Sequence, residues 1–400
     1  MLVESVSYIL FFVTLIIFII FVYIRLKFKF WAIQPVFHIY DVGYMIKPPG
    51  IIDEYLPEKN KYTNFTNIDT VVYSEMTNLQ KQYFINLIKL HYLQNKDNIF
   101  LPTIENTLPY FKSHNKKSFV SMYSEDVFMM DTKTNNTITD KKVIGTITSR
   151  PVYIVINNDK QKGKFMAYYV DYLCVDSHHR KKGIAPQLIQ THHYNQRHLN
   201  KNIVVSLFKR EDELTGIIPL CVYSTYGFRV TTWTKPHELS APYKLLEINS
   251  QNFRYLFDFI NNCGKKFDIV INTEFTNIIG LIKTKNIFIY VLMVDDVICS
   301  CYFFRKSCIQ IEKGMEVLSC FASVCNCDKN VFVQGFKISF WKISAENFFG
   351  FSAIEDISDN NIIIENIKLK TKVEIVSPTA YFFYNFGYPT FNSNKVLIIN

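Results

Sequence analysis

The chain has 400 residues, of which 48% are hydrophobic and 20% are charged, and its formal net charge is +9. This composition excludes a disordered chain, and the length allows either two domains or one large one. The lysine and arginine residues are dispersed along the chain. The positive charge therefore favours an anionic ligand or a membrane surface and argues against nucleic acid as a partner.

The first predicted element is a membrane anchor, which we assign to residues 1–26. Tyr8–Ile24 is apolar except for Thr14, and with its neighbours it reaches about 20 residues, enough to cross a bilayer. Basic residues follow this run and none precedes it, which predicts a single-pass membrane protein whose body faces the cytosol. These residues are Arg25, Lys27 and Lys29. A cleaved signal peptide is the alternative, but the start carries Glu4 and no basic residue, and no small-residue cleavage site follows the run.

Beyond the anchor, the pattern predicts alternating helices and strands. Apolar residues recur at helical spacing between Asn78 and Gln94, and a second helix is expected from about Ala185 to Leu199. Strands are predicted at Val143–Thr148, Val152–Asn157, Phe165–Val175 and Ile203–Leu207. A strand, loop, helix and strand in that order form a crossover unit.

The pattern changes around Lys235–Pro242, and helix and strand signals then resume. Asn249–Asn262 is predicted as a helix, and Ile287–Phe304 as a hairpin that turns at Asp295 and Asp296. We therefore predict an α/β (α+β) fold with mixed twisted sheets flanked by helices. The expected domains are residues 27–240 and 241–400.

The most informative motif lies between the strand and helix of the crossover unit. Arg180, Lys181 and Lys182 supply cations, while Gly183 and Ala185 let a ligand approach the backbone. The first N–H groups of a helix are free to donate, and the helix dipole adds positive charge there, so this turn suits a pyrophosphate. The alternative is a basic turn that only begins a helix.

This turn resembles a known acyltransferase motif. Its spacing Arg180-x-x-Gly183-x-Ala185 is similar to the acyl-CoA pyrophosphate loop of the GNAT superfamily. Residues 28–36, Phe-Lys-Phe-Trp-Ala-Ile-Gln-Pro-Val, resemble a motif near the start of the N-myristoyltransferase family. The matches in register around the loop and near the end are Tyr172–Val175, Arg180, Ala185, Pro186, Tyr384, Asn385, Pro389, Lys395 and Val396. The resemblance thus covers residues 28–400.

The resemblance implies two GNAT-like halves, the first binding acyl-CoA and the second a peptide. It implies direct transfer of a fatty acyl group from acyl-CoA to the N-terminal glycine amine of a protein, without a metal. The backbone amides of Tyr172 and Leu173 would stabilise the oxyanion, and the α-carboxylate of Asn400 would accept the proton. The implied CoA contacts are Lys29, Phe30, Trp31, Cys174, Val175, Arg180, Lys181, Lys182, Gly183, Ile184, Ala185 and Pro186.

The chain departs from the family at two places. Asp176 follows Leu-Cys-Val, where the family commonly has histidine, and Leu369–Pro378 lacks the glycines of the family's Lys-Phe-Gly-x-Gly-Asp-Gly signature. Two alternatives therefore stay open. One is a GNAT N-acetyltransferase that uses acetyl-CoA, and the other is an inactive membrane-anchored relative that serves as a binding module.

Other reactive residues are interpreted as structural. Cys174 has no identifiable base for a nucleophilic role, and His192 and His193 are expected on the helix surface. A strand-like run should direct the sulfurs of Cys299 and Cys301 to one face, which favours buried thiols over a zinc site. His178 and His179 are expected as phosphate contacts or solvated side chains.

Overall fold

The computed structural model describes residues 2–93, 98–130, 137–157, 162–211, 216–312 and 314–400. The helices are α1 Leu2–Lys27, α2 Val42–Ile46, α3 Asn78–His91, α4 Ile104–Thr107, α5 Ile184–Leu199, α6 Phe253–Cys263, α7 Phe275–Lys283, α8 Lys329–Asn347 and α9 Asn360–Lys368. The strands of the first half are β1 Gly50–Ile51, β2 Ile68–Val72, β3 Asn98–Phe100, β4 Phe119–Met130, β5 Thr137–Ile156, β6 Gly163–Val175, β7 Val205–Glu211 and β8 Cys221–Arg229. The later strands are β9 Tyr243–Glu247, β10 Ile269–Asn272, β11 Ile287–Val294, β12 Val297–Ile311, β13 Met315–Cys325, β14 Phe349–Glu355, β15 Ile375–Tyr384, β16 Phe386–Gly387 and β17 Val396–Ile399.

One long mixed sheet runs through the described residues. Its strand order is β17-β10-β5-β6-β7-β15-β8-β14-β13-β12-β11-β9, with β4 and β2 added beside β5, and β3 beside β12. Neighbours are antiparallel except in the pairs β10–β17, β6–β7 and β13–β14. The predicted α/β class with mixed sheets is confirmed.

In the part of the chain that the structure describes, each half contains a crossover unit. In the first half, β6 and β7 are parallel and α5 connects them. In the second half, β13 and β14 are parallel and α8 connects them. A helix is the usual way to join parallel neighbours, so the two units repeat one architecture.

The sheet that contains both crossover units interleaves strands from the two parts of the chain. β15 lies between β7 and β8, and β10 pairs with β5 through Ile271 and Ile154. Strands from both sides of residue 240 therefore alternate in one sheet. The division at that residue stays a prediction.

Helices cover both faces of the second half. Leu256 of α6 and Leu281 of α7 pack with Phe303, whereas Phe336 of α8 and Ile363 of α9 pack in the other cluster, with Tyr302 and Phe304 of the same strand. Because successive side chains of a strand point to opposite faces, this part of the sheet is buried on both sides. The core therefore lies on both faces of the central strands.

The N-terminal helix has the length and composition predicted for an anchor. Ser5–Lys27 has a mean hydropathy of 2.9, and only 6% of the most apolar window is buried. Within the described residues it is the single helix that passes this test, which rests on length and composition alone. Its last turns differ from the rest, because Ile24 is only 2% exposed.

Two predicted helices are shorter than expected for local reasons. α3 begins at a capping box, in which Thr77 and Gln80 bond each other's backbone N–H groups, and it ends at His91. The predicted end, Gln94, lies outside the described residues. α6 begins at Phe253 because the side chain of Asn249 accepts hydrogen bonds from two backbone N–H groups that follow it, which forms a turn.

The prediction that Cys299 and Cys301 face the same side is wrong. Leu292 pairs with Ser300 and Met293 with Ile298, so Cys299 is the extra residue of a bulge. The bulge turns Cys299 into the cluster of α8, whereas Cys301 packs in the cluster of α6. Both side chains are buried free thiols, as expected.

Candidate functional site

Strands β6 and β7 separate toward the C-terminal end of β6. β6 pairs with β7 only over Ala167–Val170, and farther along two residues, Tyr172 and Leu173, face the single residue Ile147 of β5. Tyr172 has a positive φ of 48°, which is uncommon for a residue other than glycine. This bulge bends β6 away from its neighbour and leaves space beside the predicted oxyanion residues.

Asp176 organises the turn after β6. Its carboxylate accepts a hydrogen bond from the backbone N of His178 at 2.9 Å and lies 3.3 Å from Nζ of Lys142. Burial raises the pKa of this carboxyl, but the two hydrogen bonds together with the charges of His91 and Lys142 outweigh burial and lower its pKa to about 2. Asp176 is therefore ionised and caps a short 3-10 turn at the position where the family commonly has histidine.

Arg180 holds the turn against α3 instead of pointing freely into solvent. Its guanidinium donates to the carbonyl of His91 at 2.7 Å and to that of Val175 at 3.3 Å. Arg180, Lys181 and Lys182 are all exposed, so all three cations are accessible to a ligand here, Arg180 from its fixed position against α3. Gly183 has φ 79° and begins α5 without a side-chain cap. The start of α5 thus has the form of an anion site.

The corresponding turn of the second half is closed. The carboxylate of Asp328 accepts hydrogen bonds from the backbone N of Asn330 and of Val331 at the start of α8. A negative side chain on the first turn repels an anionic ligand and occupies its donors. Of the two crossover units, the first is the one suited to a diphosphate.

Three cavities adjoin one another beside the bulge of β6, and Tyr92 and Leu93 line all three. We call the first the basic cavity; it has a volume of about 550 Å³ and lies over the turn. Its lining includes Leu173, Cys174, Val175, His179, Arg180, Lys181, Gly183, Ile184, Ala185 and Pro186. Most of the residues predicted to bind CoA are therefore assembled at one place. Lys182 is adjacent to this lining but not part of it.

The second, which we call the apolar cavity, has a volume of about 650 Å³. It shares Leu173, Ala185 and Pro186 with the basic cavity and extends to Phe30 and Trp31. Other apolar residues on its lining are Ile147, Val170, Ile189 and Phe208. Trp31 stacks on Phe208 with ring centroids 5.6 Å apart. Lys29 is exposed and lies outside all three linings.

The N-terminal motif is held in place by the C-terminal motif. The hydroxyl of Tyr384 donates to Oε1 of Gln34 at 2.6 Å, and the backbone N of Asn385 donates to the carbonyl of Pro35 at 2.7 Å. Both contacts lie in segments that carry the family resemblance. These two distant motifs therefore form one structural unit beside the apolar cavity.

The third, which we call the polar cavity, has a volume of about 300 Å³ and lies between the two halves. Its charged lining includes Arg150, Asp171, Lys209, Glu211, Arg305 and Glu355. Burial raises the pKa of the Glu355 carboxyl, but Lys209 and Arg305 outweigh burial and hold that pKa below its ordinary value. Glu355 also accepts a hydrogen bond from the hydroxyl of Tyr223. This cavity can thus hold a polar, charged ligand.

Asp171 is the residue that the sequence reasoning missed. It lines both the apolar and the polar cavity. Its Oδ1 accepts a hydrogen bond from the backbone N of Tyr172 at 2.8 Å, and its Oδ2 lies 3.7 Å from Nη1 of Arg150. The signal available was its position directly before Tyr172 in the strand motif.

Asn400 is buried but lies apart from these cavities. It is 1% exposed, follows the last strand, and belongs to none of the three linings. The preceding carbonyl, of Ile399, accepts a hydrogen bond from the backbone N of Thr273 at 2.9 Å. The structure thus brings Tyr172 and Leu173 to the cavities but does not bring Asn400 to them.

The prediction that His192 and His193 lie on the surface is wrong. His192 follows Ile184 and Leu188 at helical spacing and is only 2% exposed, since this face of α5 packs against the sheet. Its Nδ1 lies 2.8 Å from Oγ of Ser121 and its Nε2 2.9 Å from Oγ of Ser149. Burial lowers the pKa of each histidine to about 3, so both are neutral at the edge of the apolar cavity.

His178 and His179 are placed differently. His178 is exposed, and Nε2 of His179 lies 3.5 Å from Oε2 of Glu125 on the lining of the basic cavity. Cys174 is buried, and burial raises the pKa of its thiol to about 12. A thiol with that pKa is a poor nucleophile at neutral pH.

No protein-family model and no curated protein sequence matches the chain. Solved structures do match it. The crystal structure of Saccharomyces cerevisiae N-myristoyltransferase with bound myristoyl-CoA has 14% sequence identity and a TM-score of 0.69, with 92% of this chain and 94% of that one covered. A structure of the same yeast enzyme with bound myristoyl-CoA and inhibitors gives 14% identity and a TM-score of 0.68, with 91% of each chain covered.

The similarity extends over nearly the full length of both chains, although few residues are identical. It therefore includes both crossover units and the strands that join them, and it agrees with the resemblance predicted from the motifs. This chain has the fold of the N-myristoyltransferases.

Proposed function

We propose that this protein is an acyl-CoA acyltransferase that moves a fatty acyl group to the N-terminal amine of a protein or peptide, with glycine as its first residue. The observation that carries the proposal is that three adjoining cavities surround the bulge of β6: Tyr172 lines the polar and the apolar cavity, and Leu173 lines the apolar and the basic cavity. An anion site, an apolar cavity and a polar cavity around one strand bulge are what a long-chain acyl-CoA and a charged amine require together.

The CoA diphosphate is proposed to bind at the start of α5. The N–H groups of Ile184 and Ala185, together with Lys181 and Lys182, would face it, while Arg180 keeps the turn against α3. The acyl chain would lie in the apolar cavity beside Trp31. Because the thioester joins these two parts of the substrate, its carbonyl would lie near Leu173.

Transfer by direct attack needs no enzyme nucleophile. The amine nitrogen attacks the thioester carbonyl, a C–N bond forms, the C–S bond breaks, and the CoA sulfur leaves as a thiolate that takes up a proton. The amides of Tyr172 and Leu173 are the proposed donors to the oxyanion, and one such donor is typically worth ~10²-fold to 10³-fold in rate. The high pKa of Cys174 fits this direct route.

The hydrogen bond between Asp171 and the Tyr172 amide suggests how binding of the acceptor amine could change the oxyanion site. The Tyr172 amide is bound to the Asp171 carboxylate at 2.8 Å, so it must be released before it can donate to an oxyanion. An incoming ammonium in the polar cavity would attract this carboxylate. We infer that binding of the amine releases the Tyr172 amide for the thioester.

The proton of the ammonium needs an acceptor within hydrogen-bond reach or one water away. The resemblance assigns this role to the α-carboxylate of Asn400, which is buried but outside the cavity linings. Asp171 is the competing carboxylate, since it is on the lining already. We retain Asn400 as the proposed acceptor, and deletion of this residue decides between the two.

The apolar cavity favours a long acyl chain over acetyl. Its volume of about 650 Å³ and its aromatic lining would leave an acetyl group with few contacts. The sequence of the region proposed to bind the acceptor differs more from the family's. The glycine-free stretch ends in the first residues of β15, and its residues Ile375 and Ser377 line the polar cavity.

The N-terminal helix is proposed to anchor the enzyme in a membrane with the body on the cytosolic side. Support comes from the apolar span Ser5–Lys27 and from the basic residues that end it. A signal sequence would be removed on maturation, so the N-terminal sequence of the mature protein tests this part.

The test of function uses the full chain in lipid nanodiscs. We would incubate it with a mixture of acetyl-, myristoyl- and palmitoyl-CoA and a peptide that begins with glycine, and identify products by mass spectrometry. Fatty acylation of the free N-terminus, absent when that amine is acetylated beforehand, is the expected result. Acetylation alone would support the acetyltransferase, binding of acyl-CoA without transfer would support the binding module, and no binding of any CoA ester would overturn the proposal.

A further inference from the structure

The C-terminal end of the N-terminal helix is part of the body of the protein. The side chain of Ile24 lies over Gly216, where a Cβ would come within 2.8 Å of Cδ1 of Ile24. The ring of Phe21 meets the ring of Tyr40 edge-on, with centroids 5.1 Å apart. The last turns of the helix therefore pack against the body, and these contacts fix the direction of the helix relative to the body.

This attachment determines how close the body lies to a bilayer that the helix crosses. Phe21 lies within the apolar span and six residues before its end at Lys27. At 1.5 Å per residue, this is about 9 Å along the helix axis. The headgroup layer is about 5–7 Å thick on each side of a bilayer. With Lys27 at the outer edge of this layer, Phe21 and the segment that contacts it lie at the boundary between the headgroups and the hydrocarbon.

That segment carries exposed apolar side chains. Around and after Tyr40, Ile39 is 44% exposed, Val42 47%, Met45 45% and Ile46 84%. None of the residues of α2 is buried. We call Ile39, Val42, Met45 and Ile46 the α2 surface. Ile39 is adjacent to Tyr40 and Val42 is two residues from it, so the α2 surface begins within about 8 Å of the residue that contacts Phe21.

The basic residues near the α2 surface indicate which kind of partner it contacts. Arg25 and Lys29 are exposed near the end of α1, and the exposed Lys47 directly follows α2. The carboxylate of Asp41, which directly precedes α2, is paired with His38. Exposed apolar side chains with basic residues near them in the chain are the usual composition of a segment that lies in the interface of an anionic bilayer. A protein partner would not explain why these residues adjoin the helix that, within the described part of the chain, is alone in being long and apolar enough to span a membrane.

We propose that the α2 surface lies among the headgroups of an anionic phospholipid bilayer, as a second membrane contact that does not span it. The proposal rests on the membrane insertion of α1 under the proposed function and adds the orientation of the body. Phe30 and Trp31, which line the apolar cavity, follow Lys27 closely in the chain. The orientation holds the apolar cavity at the lipid surface, where long-chain acyl-CoA accumulates.

Photocrosslinking in the full chain tests this orientation. Benzoylphenylalanine would replace one residue at a time in protein reconstituted into vesicles of phosphatidylcholine and phosphatidylserine. The three positions are Phe11 in the proposed span, Ile46 in the α2 surface, and Leu369, an apolar residue that is 80% exposed elsewhere. We expect lipid adducts at positions 11 and 46 and no lipid adducts at position 369.

Other outcomes separate the inference from the function on which it rests. Adducts at 11 without adducts at 46 would overturn the lipid contact and leave the anchor intact. Adducts at none of the three positions would overturn the anchor and the inference together. Equal adducts at 46 and 369 would show unspecific contact and would also overturn the inference, as would protein adducts in place of lipid at 46.

A second variant measures the consequence for transfer. Ile46→Asp places a charge in the α2 surface, and Leu369→Asp is the matched control at the other exposed position. We expect Ile46→Asp to slow transfer from palmitoyl-CoA carried on anionic vesicles and to leave transfer from decanoyl-CoA supplied in solution unchanged. An equal loss with both substrates would indicate damage to the fold, and no loss with either would count against the orientation.

Discussion

The side chain of Asp171 holds the backbone amide of Tyr172, with Oδ1 2.8 Å from that nitrogen. The same carboxylate lines the polar cavity on one side and the apolar cavity on the other. It therefore lies between the proposed amine and the proposed oxyanion donor. Under the proposed function, this hydrogen bond links binding of the acceptor amine to the freedom of the Tyr172 amide to donate to the oxyanion.

Asp171→Asn should weaken acceptor binding while leaving acyl-CoA binding unchanged. The neutral amide still fits the site but no longer attracts an ammonium, and a hydrogen bond to a charged group is worth about 1.5–3 kcal/mol. The KM for a peptide should rise about 10-fold to 100-fold, measured by steady-state kinetics beside calorimetric titration of acyl-CoA. Glu211→Gln, at another carboxylate of both cavities, is the control for loss of charge alone. Equal effects of the two variants would contradict the specific role.

Removal of Asn400 tests the proposed proton acceptor. A general base contributes about 10²-fold to 10⁴-fold, so deletion should lower kcat by at least 100-fold without changing acyl-CoA affinity. Asn400→Ala is the matched control, because it retains the α-carboxylate at the same position. It should keep kcat close to that of the unaltered protein. Full activity after deletion would shift the role to Asp171.

Replacement of both Lys181 and Lys182 by alanine should weaken acyl-CoA binding and make it less sensitive to salt. Charge-assisted contacts to a diphosphate are screened by ions, so their removal lowers the dependence of affinity on ionic strength. We expect a loss of about 10-fold or more in affinity at 0.1 M salt. Lys116 and Lys117, an exposed pair elsewhere, form the control when replaced in the same way. The same loss in both double variants would mean that net charge, and not this site, attracts the ligand.

Cys174→Ala should keep acyl transfer within about 3-fold of the unaltered rate, because direct attack does not use the thiol. Burial raises the pKa of this thiol to about 12, so alkylation of the folded protein at pH 7.5 should also be slow. Peptide mapping after brief iodoacetamide treatment measures this, with the half-buried Cys327 as the comparison. Loss of transfer in the variant, together with an acylated Cys174 in the parent, would indicate a covalent intermediate.

Folding stability should fall as the pH drops below about 6.5, in part because of His192. Burial lowers the pKa of His192 to about 3, whereas the unfolded chain takes up this proton near pH 6.5. Between these values the unfolded state binds more protons, so acid favours unfolding, by about 2 kcal/mol per such histidine at pH 5. His192→Gln should flatten the decline of Tm between pH 7 and pH 5, and the exposed His198→Gln should not. An unchanged slope in His192→Gln would mean that the histidine titrates normally.

Local signals predicted the parts of the fold that local contacts form. The apolar spacing from Asn78 and the helix expected from about Ala185 agree with the observed starts of α3 at Asn78 and of α5 at Ile184. The apolar residues of β6 and the basic turn after it appear in one stretch of sequence. A strand, an anion-binding turn and a helix that are consecutive in the chain can be read together.

Contacts between distant residues were not readable in this way. The pairing of β15 between β7 and β8, the bulge at Cys299 and the burial of His192 each depend on what packs from elsewhere in the chain. The helical spacing placed His192 in line with Ile184 and Leu188, but its polarity predicted the opposite face. A buried histidine is tolerated there because Ser121 and Ser149 supply its hydrogen bonds.

The sequence by itself determined the apolar helix, the basic turn and the motifs that resemble an acyltransferase, since each depends on residues close together in the chain. Only the tertiary structure decided that Gln34 meets Tyr384, that Asp171 lies between two cavities and that Asn400 lies outside them. The reason is that hydrogen bonds and cavities form between strands that the chain brings together over hundreds of residues. Such pairings leave no periodic trace in a single sequence.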